Sequence, residues 1–128
     1  MVDFTDNPDE AAFRAEVRQV IAEHAPKSRR EGGRARRGGP YGAGGLSEEA
    51  RREQERWREA LIERRWIVPN WPAEYGGAGL PVKDQFILSQ ELAEAGTWNI
   101  SGLGTMMFGP TLIVHGSEQQ KQEHLPKI

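Results

Sequence analysis

Apolar residues recur at helical spacing near the start of the chain. The positions i, i+4, i+7 and i+8 form one stripe and are occupied by Phe13, Val17, Val20 and Ile21. Asn7 precedes this stripe and suits a helix cap, with Glu10 where a capping box places its acid. Pro26 stops the pattern. An amphipathic helix packed on a core is therefore predicted over about residues 8–24.

A second helix is predicted to begin after Ser47, a residue type that caps helices well. We expect it to end at about Arg65, with an apolar face formed by Ala50, Trp57, Ala60 and Leu61. Its remaining positions are mostly arginine and glutamate, which is typical of a helix surface in contact with water.

A third helix is predicted between Pro81 and about Ala95, because Gly96 suits a left-handed helix stop. Its apolar residues cover more than one helical face: Val82, Phe86, Ile87, Leu88, Leu92 and Ala93. This distribution indicates a helix that other elements cover on several sides.

The stretch 101–115 is uncharged and helical in composition, and it is interrupted at Gly109-Pro110. Its apolar residues point all round the helix: Leu103, Met106, Met107, Phe108, Leu112, Ile113 and Val114. Such a pattern predicts a buried, central segment. Ser117 followed by Gln120 forms a capping box, which predicts a final polar helix.

Two irregular segments separate these elements. Residues 66–81 carry three prolines and three glycines, which exclude a regular element, yet they also carry two tryptophans and a tyrosine. We expect such an aromatic loop to be pinned against the core or another domain. Residues 27–45 hold seven glycines, Lys27 and five arginines against one acid, Glu31. An anion contact and a solvated insertion are both open for this basic loop, and the second is favoured.

The fold class predicted from these elements is all-α, since no period-two strand pattern occurs. A length of 128 residues suits one domain, so we expect a small bundle of four to six helices over 1–128. The acidic N-terminus resembles neither a signal peptide nor a transit peptide, and no apolar run is long enough to span a membrane. A cytoplasmic protein without a membrane partner is expected.

Composition excludes several kinds of chemistry. The absence of cysteine excludes disulfides, thiolate metal sites and a cysteine nucleophile. The three histidines do not pair at helical metal-ligand spacing, so no metal site is expected. Net charge is −2, and with the basic loop at +5 the rest of the chain totals about −7. This balance argues against nucleic acid as a partner, although RNA binding by the basic loop is a weaker alternative.

Candidate chemistry is sparse. No nucleophile, base and acid set stands out, and Gly102-x-Gly104 does not continue into a dinucleotide-binding fingerprint. Met106, Met107 and Phe108 lie among small glycines and could line an apolar ligand slot. At helical spacing such residues are more often plain core, so the residues alone favour a helical domain without catalytic apparatus.

Four stretches, in order, resemble the acyl-CoA dehydrogenase family. Residues 71–80 are similar to its W-P-x-E-[YF]-G-G-x-G-[LM] motif, and residues 90–96 resemble its next helix. Residues 109–121 and 125–128 are similar to its "G-P … G-[ST]-E-E-Q-K … L-P-x-I" ending. The resemblance covers about residues 55–128, and the first helix also fits. The basic loop departs from the smaller members of the family.

The resemblance implies an FAD-dependent oxidation of an acyl-CoA thioester to the 2,3-enoyl-CoA. A glutamate removes the α-proton, the flavin takes the β-hydride, and an electron-transfer acceptor reoxidises the flavin. It also implies a homotetramer or a heteromeric complex. This chain matches only the N-terminal helical domain, without the middle β domain and the C-terminal helical domain. No catalytic residue is therefore expected here, Glu74 is expected to be structural, cofactor-binding residues are unknown, and the chain alone is predicted inactive.

The matching domain of the family contributes one wall of the acyl pocket. By that resemblance the expected substrate-binding residues are Leu103, Gly104, Met106 and Met107. The glycines suggest room for a large acyl group, so replacing Gly104 with leucine is expected to impair bulky thioesters more than short ones.

Two functions of different classes stay open. In one, the chain is the amino-terminal third of a flavin-dependent dehydrogenase, which its end on Leu-Pro-Lys-Ile favours. In the other, it is a free-standing helical binding or assembly module that serves as a partner subunit.

Overall fold

The computed structural model of the chain describes residues 5–27, 47–97 and 99–128. These residues form five α-helices: α1 (Pro8–His24), α2 (Glu48–Glu63), α3 (Val82–Glu94), α4 (Gly109–His115) and α5 (Glu118–His124). No strand occurs within the described ranges, which confirms the all-α prediction. The basic loop predicted over 27–45 lies outside the described residues from position 28 onward.

The helix ends follow the local signals in the sequence. At α1 the Asn7 side chain accepts the Glu10 N–H at 2.8 Å, and the Asn7 N–H donates to the Glu10 carboxylate at 3.0 Å. Ser117 and Gln120 form the same capping box at α5. Ser47 caps α2 as predicted, and α3 is followed by Gly96 at φ 68°. These polar contacts satisfy N–H groups that a helix cannot satisfy itself.

The core lies where α1 packs against α2 and α3. The predicted stripe of α1 is confirmed, because Val17, Val20 and Ile21 are buried and Phe13 packs against the same cluster. The predicted face of α2 is confirmed by the burial of Trp57, Ala60 and Leu61. Leu88 and Leu92 complete the cluster from α3.

The aromatic loop 66–81 is pinned to the core, as its composition predicts. Trp66 and Trp71 are both 4% exposed. The Trp66 ring meets Phe13 of α1 edge to face, with centroids 5.8 Å apart. The Asn99 side-chain amide donates to the backbone oxygens of Trp66 and Ile67 at 2.5 and 3.2 Å. The prediction that the loop contains no regular element is wrong, because Ala73–Tyr75 form a short 3-10 helix that ends at Gly76.

The prediction that α3 is covered on several sides is wrong for the described part of the chain. Its buried residues lie on one face and are Ile87, Leu88, Glu91 and Leu92. Val82 and Phe86 are exposed, because α1 packs on one side of α3 only.

The prediction of a buried central segment over 101–115 is also wrong for the described residues, and the interruption at Gly109-Pro110 is absent. A π-helical turn, Gly104–Phe108, continues directly into α4. Pro110 lies in the first turn of α4, where its missing N–H is tolerated. Most apolar side chains of this segment are exposed, since α5, Trp71 and Ile128 contact only one side of it.

Candidate functional site

An exposed apolar surface, here named the outer face, runs along the π-helical turn. It consists of Leu103, Met106, Met107 and Phe108, which are 63, 66, 63 and 50% exposed. Three of the four residues expected to line an acyl pocket, Leu103, Met106 and Met107, are thus exposed within five positions of the chain. Methionine and leucine side chains of this kind suit contact with an irregular apolar partner.

Hydrogen bonds fix the backbone beneath the outer face. The Met106 N–H donates to the Gly102 carbonyl at 2.9 Å, and the Gly109 N–H donates to the Gly104 carbonyl. The Thr105 hydroxyl lies 3.0 Å from both the N–H and the carbonyl oxygen of Gly102. π-helical turns are rare in proteins overall, but those that occur are often found at functional sites. The sequence analysis did not predict this turn.

The glycines of this segment have different surroundings. A Cβ atom on Gly104 would lie 2.9 Å from Cγ2 of Ile128, so the Ile128 side chain fills the room expected at Gly104. A Cβ atom on Gly109 would collide with the Trp71 ring. At Gly102 no atom lies within 4 Å of such a position. Gly104 therefore faces the chain's own packing.

Contacts with α5 join the outer face to the aromatic loop. The Tyr75 hydroxyl donates to Glu118 at 3.3 Å, and the Lys121 ammonium donates to the same carboxylate at 2.9 Å. This Lys121 contact lowers the pKa of the Glu118 carboxyl and raises the pKa of Lys121. At the end of α5, His124 meets the Phe108 ring with centroids 6.3 Å apart.

A cluster of charges joins α1 to α3 away from the outer face. The Arg18 guanidinium donates to the Glu91 carboxylate at 2.8 Å, and Arg14 donates to it at 2.7 Å. Arg14 also pairs with Asp6 at 2.6 Å. The arginines, Arg18 foremost, hold the pKa of Glu91 below its ordinary value. Glu91 is thus kept ionised by its partners, which suits a structural ion pair and not a general base at neutral pH.

Sequence reasoning missed this cluster, although a signal was present. Glu91 stands between Leu88 and Leu92, at a position that the α3 period places on the buried face. A carboxylate at such a position needs a charged partner when the helix packs. Two arginines on one face of α1, four residues apart, could have been recognised as that partner.

Other expectations concern sites of catalysis, metal binding and membrane insertion. Glu74, expected to be structural, is exposed on the loop and not in the outer face. Within the described residues no group of three His, Asp or Glu side chains could hold a metal ion. None of the helices in the described ranges is long and apolar enough to cross a membrane.

Comparison with known proteins identifies relatives over nearly the whole chain. The sequence model of "Acyl-CoA dehydrogenase, N-terminal domain" matches residues 7–128. Acyl-CoA dehydrogenase IpdE1 of Mycolicibacterium smegmatis is 35% identical over 117 residues, which is 91% of this chain and 28% of that protein. Acyl-CoA dehydrogenase FadE26 of Mycobacterium tuberculosis is 31% identical over 124 residues, covering 94% of this chain and 28% of that protein.

Solved structures agree with the sequence matches. The ChsE4-ChsE5 complex from Mycobacterium tuberculosis superposes with a TM-score of 0.64 at 26% identity, covering 98% of this chain and 28% of that chain. The "Tcur3481-Tcur3483 steroid ACAD" structure superposes with a TM-score of 0.61 at 31% identity, covering 98% of this chain and 29% of that chain. The chain thus spans just over a quarter of the length of these relatives.

Proposed function

The chain belongs to the acyl-CoA dehydrogenase family, as an N-terminal helical domain of it, and we propose from this premise that its outer face forms one wall of an acyl-binding pocket. The observation that carries the proposal is the exposure of Met106 and Met107 on the π-helical turn and of Leu103, which precedes it. Ligand pockets are lined mainly by apolar side chains, and such a surface is costly to leave in water.

The proposed reaction is the oxidation of an acyl-CoA thioester to the 2,3-enoyl-CoA. FAD, when bound, accepts the β-hydride while a base removes the α-proton. This chain contributes apolar contact with the acyl group, and the base comes from the rest of the dehydrogenase. Two carboxylates of this chain support this division, because Glu91 and Glu118 are held ionised by arginine and lysine.

Gly77, Gly104 and Gly109 do not fit a flavin phosphate cradle. Gly77 and Gly109 lie against Trp71, and Gly104 lies against Ile128, so their backbones are covered by the chain's own side chains. A phosphate site needs glycine backbone that is open to the ligand. We therefore assign no FAD contact to these residues, and no step of the reaction is derived through them.

The proposed substrates are thioesters of large acyl groups, and the proposed assembly is a heteromeric complex. A structural relative at 31% identity is described as a "steroid ACAD", and another is a ChsE4-ChsE5 complex. The side chains of Leu103, Met106 and Met107 on the outer face are long and flexible. They can therefore adapt to a rigid ring system, which supports a large substrate. The electron-transfer acceptor is proposed to bind elsewhere on the assembly.

The test uses the polypeptide that carries this domain together with the rest of the dehydrogenase. Met107→Gln is compared with Ile62→Gln, because Ile62 is a half-exposed apolar residue of α2, which lies outside the outer face. We expect Met107→Gln to raise KM for a ring-bearing acyl-CoA about tenfold, which corresponds to about 1.4 kcal/mol. The Ile62 variant should leave KM unchanged.

Two outcomes would contradict the proposal. Equal KM changes in both variants would remove the outer face from the acyl pocket. A native gene product that is colourless and shows no acyl-CoA oxidation would instead support a free-standing binding or assembly module.

A further inference from the structure

The two glycines that touch the interior of the C-terminal part are five residues apart. Gly104 lies against Ile128, and Gly109 lies against the Trp71 ring. Residues of an α-helix share a face at spacings of three and four, whereas a π-turn aligns residues five apart. The Gly109 N–H donates to the Gly104 carbonyl, which is the hydrogen bond of that winding. This bond across five residues belongs to a π-turn and not to an α-helix.

The winding decides which side chains reach the outer face. In an α-helix Met106, three residues before Gly109, would lie on the same side as Gly109 and turn toward Trp71. In the π-turn the Gly109 N–H pairs with the Gly104 carbonyl instead, and Met106 is 66% exposed. Each residue rotates an α-helix by about 100°, so one extra residue in the turn reorients the side chains before it substantially.

Trp71 is held firmly enough to act as a reference for this winding. It is 4% exposed. Its backbone N–H donates to the Val68 carbonyl at 3.2 Å, and its backbone carbonyl accepts the Gly79 N–H at 2.9 Å. Gly77 packs directly on its backbone. The ring carbons Cζ2 and Cη2 then occupy the space where any side chain at position 109 would begin.

We propose that Trp71 is a positioning residue, which fixes the π-turn through Gly109 and thereby directs Met106 and Met107 outward. It acts through the turn and does not contact the ligand. The link to acyl binding rests on the function proposed above, whereas the link between Trp71 and the winding does not.

The first test measures the exposure of the methionines in the 128-residue chain. The chain has three methionines, Met1, Met106 and Met107, so methyl-labelled methionine gives three NMR signals. A soluble paramagnet reports the exposure of each methyl group. Gly109→Ala places a methyl group in the space of the Trp71 ring, and we expect the relaxation enhancement of Met106 to fall severalfold. Trp71→Phe combined with Gly109→Ala frees that space and should restore the wild-type enhancement.

A matched control and a second variant keep this test decisive. Gly102→Ala adds the same methyl group where no atom lies within 4 Å, so the Met106 signal should stay unchanged. If Gly109→Ala does not fold, Trp71→Phe alone is compared with wild type: loss of the ring carbons beside Gly109 should lower the Met106 enhancement, and an unchanged enhancement would overturn the proposal. Methionine exposure that is the same in Gly109→Ala as in wild type would overturn the proposal, even if the unfolding midpoint falls.

The second test measures activity in the polypeptide that carries the whole dehydrogenase. Gly109→Ala is expected to raise KM for a ring-bearing acyl-CoA about tenfold, with kcat changed less than twofold and KM restored by the double variant. A changed methionine exposure with unchanged KM would leave the positioning role intact and contradict the acyl-pocket function. Unchanged exposure would contradict the positioning role whatever the kinetics show.

Discussion

Two regions of this domain both carry apolar residues at helical spacing and differ in what their apolar side chains contact. In the helical core, defined here as α1, α2, α3 and Trp66, the apolar stripes face one another and residues such as Val17 and Leu61 are fully buried. In the C-terminal segment, residues 103–128, the buried residues are Gly109 and Leu125, while the outer face is exposed.

The difference lies in how polar residues are distributed around each helix. Helices α1 and α2 carry charged residues opposite their apolar stripe, so one apolar partner suffices for each. The stretch 101–115 has no charged side, and the described residues cover only part of it. A helix that is apolar all round is typical of a segment that further elements cover.

The largest expected effect is the difference in the free energy of unfolding between replacing a buried leucine and replacing an exposed one. Leu61→Ala removes a fully buried side chain and is expected to lower the free energy of unfolding by about 3 kcal/mol. Leu103→Ala, at 63% exposure, is expected to change it by less than about 0.5 kcal/mol. Urea denaturation of both variants measures the two values. Similar losses in the two variants would show that the regions share one core.

A smaller effect is expected at the loop that joins the two regions. A Cβ atom on Gly77 would collide with the Trp71 backbone, so Gly77→Ala should lower the free energy of unfolding by about 2 kcal/mol. A Cβ atom on Gly76 would meet no atom within 4 Å. However, residue 76 has a φ of 91°, so Gly76→Ala should lower the free energy of unfolding by about 1 kcal/mol. Thermal unfolding of both variants measures which substitution is the more destabilising. A greater loss at Gly76 would mean that backbone conformation, and not packing on Trp71, limits the loop.

The smallest expected effect concerns the ion pair inside the core. Glu91→Gln weakens contacts with Arg14 and Arg18 and should lower the free energy of unfolding at pH 7 by about 1 kcal/mol. Because the pKa of Glu91 in the folded chain lies below its ordinary value of 4.5, this contribution is present above pH 4.5. It is lost as the pH falls through the lowered pKa, so the difference from wild type should disappear in acid.

Urea denaturation between pH 7 and pH 2 measures this dependence. Glu16→Gln, an exposed substitution on α1, is the control and should stay close to wild type throughout. A Glu91→Gln deficit that persists unchanged at the lowest pH would show that the carboxylate charge is not its source.

Much of the fold could be predicted from local signals. Asn7 and Ser117 mark helix starts, Gly96 marks a helix end, and the stripes of α1 and α2 identify the buried faces. These features depend on residues that are close together in the chain, so they can be predicted directly from the sequence. The burial of Trp66 and Trp71 also followed from their place in a loop too aromatic to be solvated.

The candidate site could be predicted only in part. The resemblance in sequence indicated Leu103, Met106 and Met107 together, and all three side chains are exposed, but their contact with an acyl group stays a prediction. The sequence suggested room at Gly104, whereas Ile128 fills it. The two residues are 24 positions apart, so no helical period relates them, and only the folded chain brings them together.

The sequence by itself determined the helical class, the helix ends and the family, because caps, periodicity and motif order are local properties of the chain. Only the tertiary structure decided that 101–115 lies at the surface, that its backbone winds as a π-turn, and that Trp71 contacts Gly109. These features depend on which partner occupies each face of a helix. Apolar spacing shows that a face is to be covered, but the spatial arrangement of distant segments decides what covers it.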